Sequence, residues 1–340
     1  MARDLRILAP VFVLLWLLAW SAAGRAPSAP PAAPPPSAAP EEALSAGDAV
    51  SAAPPAVSDA ARTLRVLHGG AVEEMTMERY LVGVLRAEMP ATFEPEALKA
   101  QAIAARTYTL YKMRGGAIAN HPDADACDDI TCCKAYKTAE DAAAEWGGMA
   151  IYYEEKLARA VRETDAQVVL YGGEPILAVF CSSTNGHTQN AGAVWQSDLP
   201  YLQSVSSPET GDSVPDYDSV VTVPAETFRS LFLAAHPDAA LSGAPEDWIT
   251  DIAHNDAGFV TTLRVGGVSV KGNELRTILS LRSPSFTVET DANAFTFHVT
   301  GYGHGVGMSQ YGANVLAARG MNASAILEHY FTGARVGYAS

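Results

Sequence analysis

Cysteine is scarce, with four residues in a chain of 340, too few for a disulfide scaffold. Positive charge is scarce as well. Lys and Arg number 23 against 38 Asp and Glu, which leaves a net charge of −15. Nucleic-acid affinity rests on neutralising phosphate with Lys and Arg, so this deficit argues against a nucleic-acid partner. It also implies repulsion from anionic lipid and anionic wall polymers unless a local basic patch intervenes. No internal repeat is present, and no glycine-rich stretch opens a βαβ unit as a dinucleotide fingerprint would. Core-forming material is not lacking: 48% of residues are hydrophobic, and the length suits one large domain or two smaller ones.

Three unlike segments follow one another. Arg3 and Arg6 precede an apolar run from Ile7 to Ala23, short for a bilayer span and long for a signal-peptide core. Basic residues in front stay cytoplasmic and send the rest outward. The bulky Trp16–Trp20 end reads as an interfacial belt, so residues 1–23 are expected to be a retained single-pass anchor in the cell membrane, although Ser21-Ala22-Ala23 could also be cut. Residues 24–60 are rich in Pro, Ala and Ser and bury too little apolar surface to offset their ordering entropy. They are expected to form a disordered, polyproline-like spacer that reaches on the order of 100 Å at about 3.1 Å per residue. Residues 61–340 are then the folded, extracytoplasmic domain.

Within it, Thr63–Leu67 and Val72–Met75 flank His68-Gly69-Gly70, a hairpin signal. Thr76 can cap a helix whose apolar residues recur at helical spacing. That helix stops at Met89-Pro90, because the residue before proline avoids helical geometry. Glu88 therefore sits at a helix end beside a forced turn. Pro95 suits the first position of a second helix running to Tyr111. This helix is rich in alanine and punctuated by Lys99, Gln101 and Arg106, which either reach solvent or line a cleft; for Lys99, periodicity favours solvent.

The runs Tyr80–Pro90 and Glu96–Tyr108, then Phe180–Thr188 with Val194-Trp195 and Pro200-Tyr201-Leu202, and finally Gly303–Ala313 resemble the stage II sporulation protein D family in that order. The resemblance spans roughly residues 62–336. Phe180–Thr188 departs most, with Cys181 where a His or another residue is usual. The resemblance implies a peptidoglycan lytic transglycosylase that cuts between N-acetylmuramic acid and N-acetylglucosamine, leaves a 1,6-anhydro end, and acts on glycan strands stripped of stem peptides by a partner amidase. It places the catalytic acid at Glu88. It also admits a non-catalytic alternative, since some relatives are described as amidase enhancers.

Elementary chemistry agrees with a single acid. A glycosidic bond needs a proton donor and usually a second carboxyl to activate water or attack carbon. A transglycosylase can let the sugar's own 6-hydroxyl close the ring, so one carboxyl serves first as acid and then as base, provided burial raises its pKa. The alternative for Glu88 is interaction with a helix start. Gly301, Gly303, Gly305 and Gly307, with Tyr302 and His304 between them, lead into a helix from near Met308 to Arg319. His304, Ser309, Gln310, Tyr311 and Tyr201 are candidate sugar contacts, against the plainer readings of a tight packing turn, a structural histidine and core tyrosine.

His121, Cys127, Cys132 and Cys133 lie within one short loop. Tetrahedral zinc takes three thiolates and one imidazole, and the resemblance implies a zinc site in this loop in some members, with a His at the place of Cys132. A site filled by four protein ligands would be structural. The competing readings are a disulfide, for instance Cys127 to Cys133, and free thiols. Further along, Ala139–Trp146, Glu154–Thr164 and Ala225–Ala235 read as helices, Gln167–Tyr171 and Pro175–Phe180 as strands around Gly172-Gly173, and Asn322 as the cap of a final helix to Phe331. The whole reads as an α+β fold, mixed helices and antiparallel strands around a glycan-binding cleft.

Overall fold

The structure is a computed structural model that describes residues 57–115, 121–195 and 197–339. The expected anchor at 1–23 and nearly all of the spacer at 24–60 lie outside the described residues. Among those described, no helix is long and apolar enough to cross a membrane.

The expected hairpin forms as β1 (Thr63–His68) and β2 (Ala71–Thr76), in register from Thr63 opposite Thr76 to His68 opposite Ala71. Gly69 and Gly70 turn it at φ 57° and 83°, the doubly left-handed turn whose twist matches antiparallel strands. Thr76 then caps α1 (Met77–Glu88) by accepting the Arg79 N–H at 3.2 Å. Met89 leaves the helix in an extended conformation, φ −133°, as Pro90 demands. α2 (Pro95–Met113) follows. After β3 (Ala126–Cys127) come α3 (Ala139–Trp146), α4 (Ala150–Glu163), β4 (Gln167–Tyr171), β5 (Glu174–Pro175), β6 (Phe180–Cys181) and the short α5 (Ala191–Val194).

The helix expected at Glu154–Thr164 thus begins four residues sooner, continuing from a 3₁₀ turn at 147–149. The strand expected over Pro175–Phe180 is broken into β5 and β6. Between them the Ala178 N–H bonds to Ile176 O and the Val179 N–H to Leu177 O, tight three-residue turns that no ladder can include.

A long insertion then supplies β7 (Asp218–Pro224), α6 (Ala225–Ala235), β8 (Ile249–His254), β9 (Val260–Val265), β10 (Val268–Lys271), α7 (Gly272–Leu279), β11 (Phe286–Thr290) and β12 (Ala294–Thr300). The chain returns through β13 (Met308–Ser309), α8 (Gln310–Ala318), α9 (Ala323–Tyr330) and β14 (Arg335–Tyr338). Asn322 caps α9 through the Ala325 N–H, as its sequence position suggests.

The strands form small sheets, in the orders β2-β1-β3, β14-β4-β5, β13-β6, β11-β12-β7 and β10-β9-β8. Pairing is antiparallel except for β1 with β3 and β6 with β13. The fold is α+β, as expected. Two cores hold it. The first surrounds α2, whose Ala97, Ala100, Ala102, Ala104 and Ala105 are fully buried. Small side chains let α1, α4, α8 and α9 approach it closely. The second belongs to the insertion and centres on Phe228, Phe232, Trp248, Phe295 and Phe297. The two are joined by polar clasps. Lys271 Nζ donates to Trp195 O at 2.7 Å and Gly192 O at 3.2 Å, and Asn185 Nδ2 donates to Ala257 O at 2.6 Å and Ser285 Oγ at 2.8 Å.

Candidate functional site

Glu88 is the last residue of α1, on the rim of the first core. The turn after it is pinned: the Phe93 N–H bonds to Pro90 O at 3.0 Å, and Lys156 Nζ donates to Ala91 O at 2.9 Å and Phe93 O at 2.5 Å. The Glu88 carboxyl is partly buried and accepts the Ala135 N–H on Oε1 at 3.1 Å. Burial pushes its pKa above the ordinary carboxyl value, while the Lys134 ammonium and the Ala135 N–H oppose the rise. The charge that acts on Glu88 is thus a cation, not a second carboxylate.

Lys134 and Ala135 come from the cysteine loop. β3 pairs parallel with β1 through Val66–Ala126 and Leu67–Cys127. The chain then doubles back, with the Cys132 and Cys133 N–H groups both bonded to Asp129 O. The Lys137 N–H reaches Gly83 O at 3.1 Å, and Tyr136 lies flat on α1 at Gly83, where an added Cβ would fall 2.1 Å from its ring. The loop is therefore sewn to the last turns of α1, and its path delivers Lys134 to Glu88. Lys134 is 9% exposed. Its Nζ lies 4.0 Å from the centre of the Tyr108 ring and 3.9 Å from that of Phe180, a cation–π cradle. Burial lowers its pKa to about 8 against the support of Glu88.

The three sulfurs of Cys127, Cys132 and Cys133 lie within 4.8 Å of one another. All four cysteines are free thiols. Cys132 Sγ and Cys133 Sγ are 3.8 Å apart, far beyond the disulfide length of about 2 Å. It is the spacing of two sulfurs on a tetrahedral ion at a zinc–sulfur distance of about 2.3 Å. Burial pushes the Cys127 and Cys133 thiols up, so thiolates here call for a cation. The residues fit zinc as three of four ligands. His121 does not join the sulfurs; its influence falls on Asp129 instead.

The glycine-rich run brings the third part. Gly301, Gly303, Gly305 and Gly307 all have positive φ. At Gly307 a Cβ would stand 2.1 Å from Val179 O, so only glycine lets this run lie against β6. His304 is placed between these glycines with its ring 5.3 Å from that of Trp195. Its Nδ1 accepts the Val306 N–H at 3.1 Å. Burial, reinforced by the Arg276 and Lys134 charges, lowers its pKa to about 3, so it is a neutral imidazole. Glu88, Lys134 and His304 thus share one electrostatic neighbourhood, assembled from three distant stretches. Tyr311 adjoins it, half-buried and edge-on to Phe93 at 4.9 Å on the turn after Glu88.

The other candidate contacts are engaged by partners within the protein. Arg106 is fully buried and grips Asp59, with Nη2 at 2.6 Å from Oδ2, and Gln167 O at 3.0 Å; it has no surface for a sugar. Lys99 bridges Glu96 at 2.9 Å and Glu163 at 2.7 Å, the solvent-side role its periodicity favoured. Gln101 and Gln310 are buried and face each other, Nε2 of Gln310 donating to Oε1 of Gln101 at 3.4 Å. Ser309 is buried, caps α8 through the Gly312 N–H, and donates to Glu209 Oε1 at 2.6 Å. Tyr201 is buried, its hydroxyl accepting the Leu177 N–H at 3.2 Å. Apart from Lys99, these residues lie in the interior, because a polar side chain on an alanine-rich or glycine-flanked segment reads alike whether it faces a cleft or another polar core residue. Sequence reasoning missed Lys134, Arg276 and Arg282. The available signal for Lys134 was its position directly after Cys133, on a loop that already had to close.

A family model described as SpoIID, Stage II sporulation protein, matches residues 68–171. The stretch runs from the turn of the β1–β2 hairpin, through Glu88 and the thiols, to the end of β4. Stage II sporulation protein D of Bacillus subtilis (strain 168) is 37% identical over 272 residues, 79% of this chain and 76% of its own. That of Bacillus amyloliquefaciens is 36% identical over 269 residues, with the same coverage. A protein named amidase enhancer, also from Bacillus subtilis (strain 168), is 29% identical over 300 residues, 74% of this chain and 39% of its own. The chain belongs to the stage II sporulation protein D family.

Proposed function

We propose that the domain is a peptidoglycan lytic transglycosylase acting on strands that lack stem peptides, in sporulation or wall remodelling. The observation that carries this reading is the Glu88 carboxyl, held beside a cation rather than a second carboxylate, with its proton affinity raised by burial. Protonated Glu88 gives its proton to the oxygen between the two sugars, and the bond from that oxygen to C1 of N-acetylmuramic acid breaks. The 6-hydroxyl of the same sugar bonds to C1 and its proton passes to the Glu88 carboxylate, restoring the acid. No water is consumed. The Ala135 N–H and the Lys134 charge hold the carboxylate between these two events.

Purified peptide-free strands, incubated with the protein and analysed by mass, should yield anhydro-ended fragments that disappear with Glu88→Gln. Reducing ends in place of anhydro ends would overturn the reading. The likeness to the amidase enhancer supports a second, non-catalytic role: stimulating a wall amidase. That role predicts stimulation that survives Glu88→Gln, with no anhydro fragments.

Cys127, Cys132 and Cys133 would hold a structural zinc. When bound, it would fix the loop that carries Lys134 and Ala135. Residues 1–23 would tether the domain to the outer face of the cell membrane.

A further inference from the structure

The segment from Arg86 to Phe93 carries Glu88 and the turn that aims it, and α4 holds this segment at both ends. Before Glu88, the buried Arg86 side chain donates from Nε to Glu154 Oε2 at 2.9 Å and from Nη2 to the other oxygen of the same carboxylate. After it, Lys156 Nζ donates to Ala91 O at 2.9 Å and to Phe93 O at 2.5 Å. α8 adds two contacts: Asn314 Oδ1 accepts the Glu94 N–H at 2.7 Å, and Tyr311 meets Phe93 edge-on. The two α4 contacts differ in kind. Arg86 and Glu154 join side chain to side chain. Lys156 turns its ammonium to two main-chain carbonyls two residues apart, which fixes the shape of the backbone between them. That backbone, Ala91-Thr92-Phe93, follows directly on Met89-Pro90, where the chain leaves α1 extended. Charge-assisted bonds of this kind are about twice as strong as neutral ones.

Resting on the reading of Glu88 as the acid, we propose that Lys156 is a positioning residue for it: Lys156 locks the turn through Ala91 and Phe93, and the locked turn keeps the Glu88 carboxyl at the Ala135 N–H, where it transfers its proton. Lys156 acts on the reaction only through the backbone. A misplacement of about 1 Å at a reacting group costs on the order of 100-fold in rate, so a contact three and five residues beyond the carboxyl can govern turnover.

The test compares Lys156→Met, Lys156→Arg and Arg159→Met with the parent, all as the full chain. Arg159 is an exposed cation one turn further along α4 and serves as the control. On peptide-free strands, Lys156→Met should lower kcat for anhydro ends about 100-fold with KM within about two-fold. Lys156→Arg keeps several donors on a cation and should recover kcat to within about ten-fold of the parent. Arg159→Met should match the parent. A kcat within about two-fold of the parent in Lys156→Met overturns the proposal. So does a Lys156→Met chain that is unfolded by far-ultraviolet circular dichroism, which would make the lysine a structural residue. A second readout needs no turnover. The Glu88 carboxyl, followed by carbon-13 NMR and assigned with Glu88→Gln, should titrate above 4.5 in the parent and fall toward that value in Lys156→Met, as the freed turn returns it to water. Lys134 and Tyr80, the ionisable groups that interact with Glu88, are untouched by these variants. Loss of a cation by itself would raise the value, so a fall reports movement, and a rise or no change overturns the proposal. Lys156→Arg should keep the parent value. Failure of the transglycosylase reading is distinguishable: it shows as an absence of anhydro ends from the parent, and the NMR shift then still decides the positioning.

Discussion

Glu88 is held between burial, which favours its neutral form, and the Lys134 ammonium with the Ala135 N–H, which favour the charged one. Burial wins. A carboxyl whose folded pKa lies above its unfolded value binds more protons when folded, so stability is full below about the ordinary value of 4.5 and declines as pH rises through the raised one. Glu88→Gln removes that cost. The variant should therefore melt above the parent at neutral pH, with the gap closing below pH 4.5; a gap independent of pH would contradict the assignment. Arg106 makes the opposite case. It is a buried cation paired with a buried anion, and Arg106→Met would leave Asp59 charged and alone. Urea denaturation should show a loss of about 3–5 kcal/mol. Asp59 stands at the end of a Pro/Ala-rich stretch and reads as spacer, so nothing local announces the pair. Lys134 was equally hidden, because its role exists only where the loop meets the end of α1.

Among the elements, helices were the most legible. Thr76 and Asn322 before apolar periodicity, Pro95 at a first turn and Met89-Pro90 at an end are local instructions, and each is obeyed. Short strands were less so, since β5 and β6 hold two residues each and depend on partners far along the chain. The cysteine loop lies between these extremes. Its thiols signalled a shared ligand by spacing alone, but that His121 stands apart from the three sulfurs is visible only in the fold. Metal analysis of the purified chain should find about one zinc, reduced by Cys127→Ser and by Cys132→Ser. A metal-free protein whose mass shows oxidised thiols would sink the zinc assignment. Since the same loop presents Lys134 and Ala135 to Glu88, the cysteine variants should also lose strand cleavage while their far-ultraviolet circular dichroism stays near that of the parent.

Over the whole molecule, two separate cores impose a division that the sequence did not announce. The insertion from β7 to β12 buries its own aromatic cluster, with Phe228 stacked on Phe295 at 4.2 Å between ring centres. Phe228→Ala should cost about 3–5 kcal/mol. Hydrogen exchange should place the faster protons in β7, β11 and β12, with α2 still protected; equal loosening of both cores would show that they unfold as one. The insertion also delivers Arg276, whose charge reaches His304, and Arg282, whose charge reaches Tyr311, from a region that reads as scaffold.

The amino-acid order alone determined the α+β class, the ends of α1, α3 and α6, the prominence of Glu88 and the clustering of the thiols. Each of these depends on contacts within a turn or two of chain, or on residue types rare in combination. Which polar residues meet a ligand was decided only in three dimensions. Gln101, Arg106, Ser309 and Gln310 were drawn into the interior by partners tens to hundreds of residues away, whereas Lys134 was set between two aromatic rings beside Glu88. Desolvation and partnership are properties of the packed neighbourhood, and no window of sequence contains that neighbourhood.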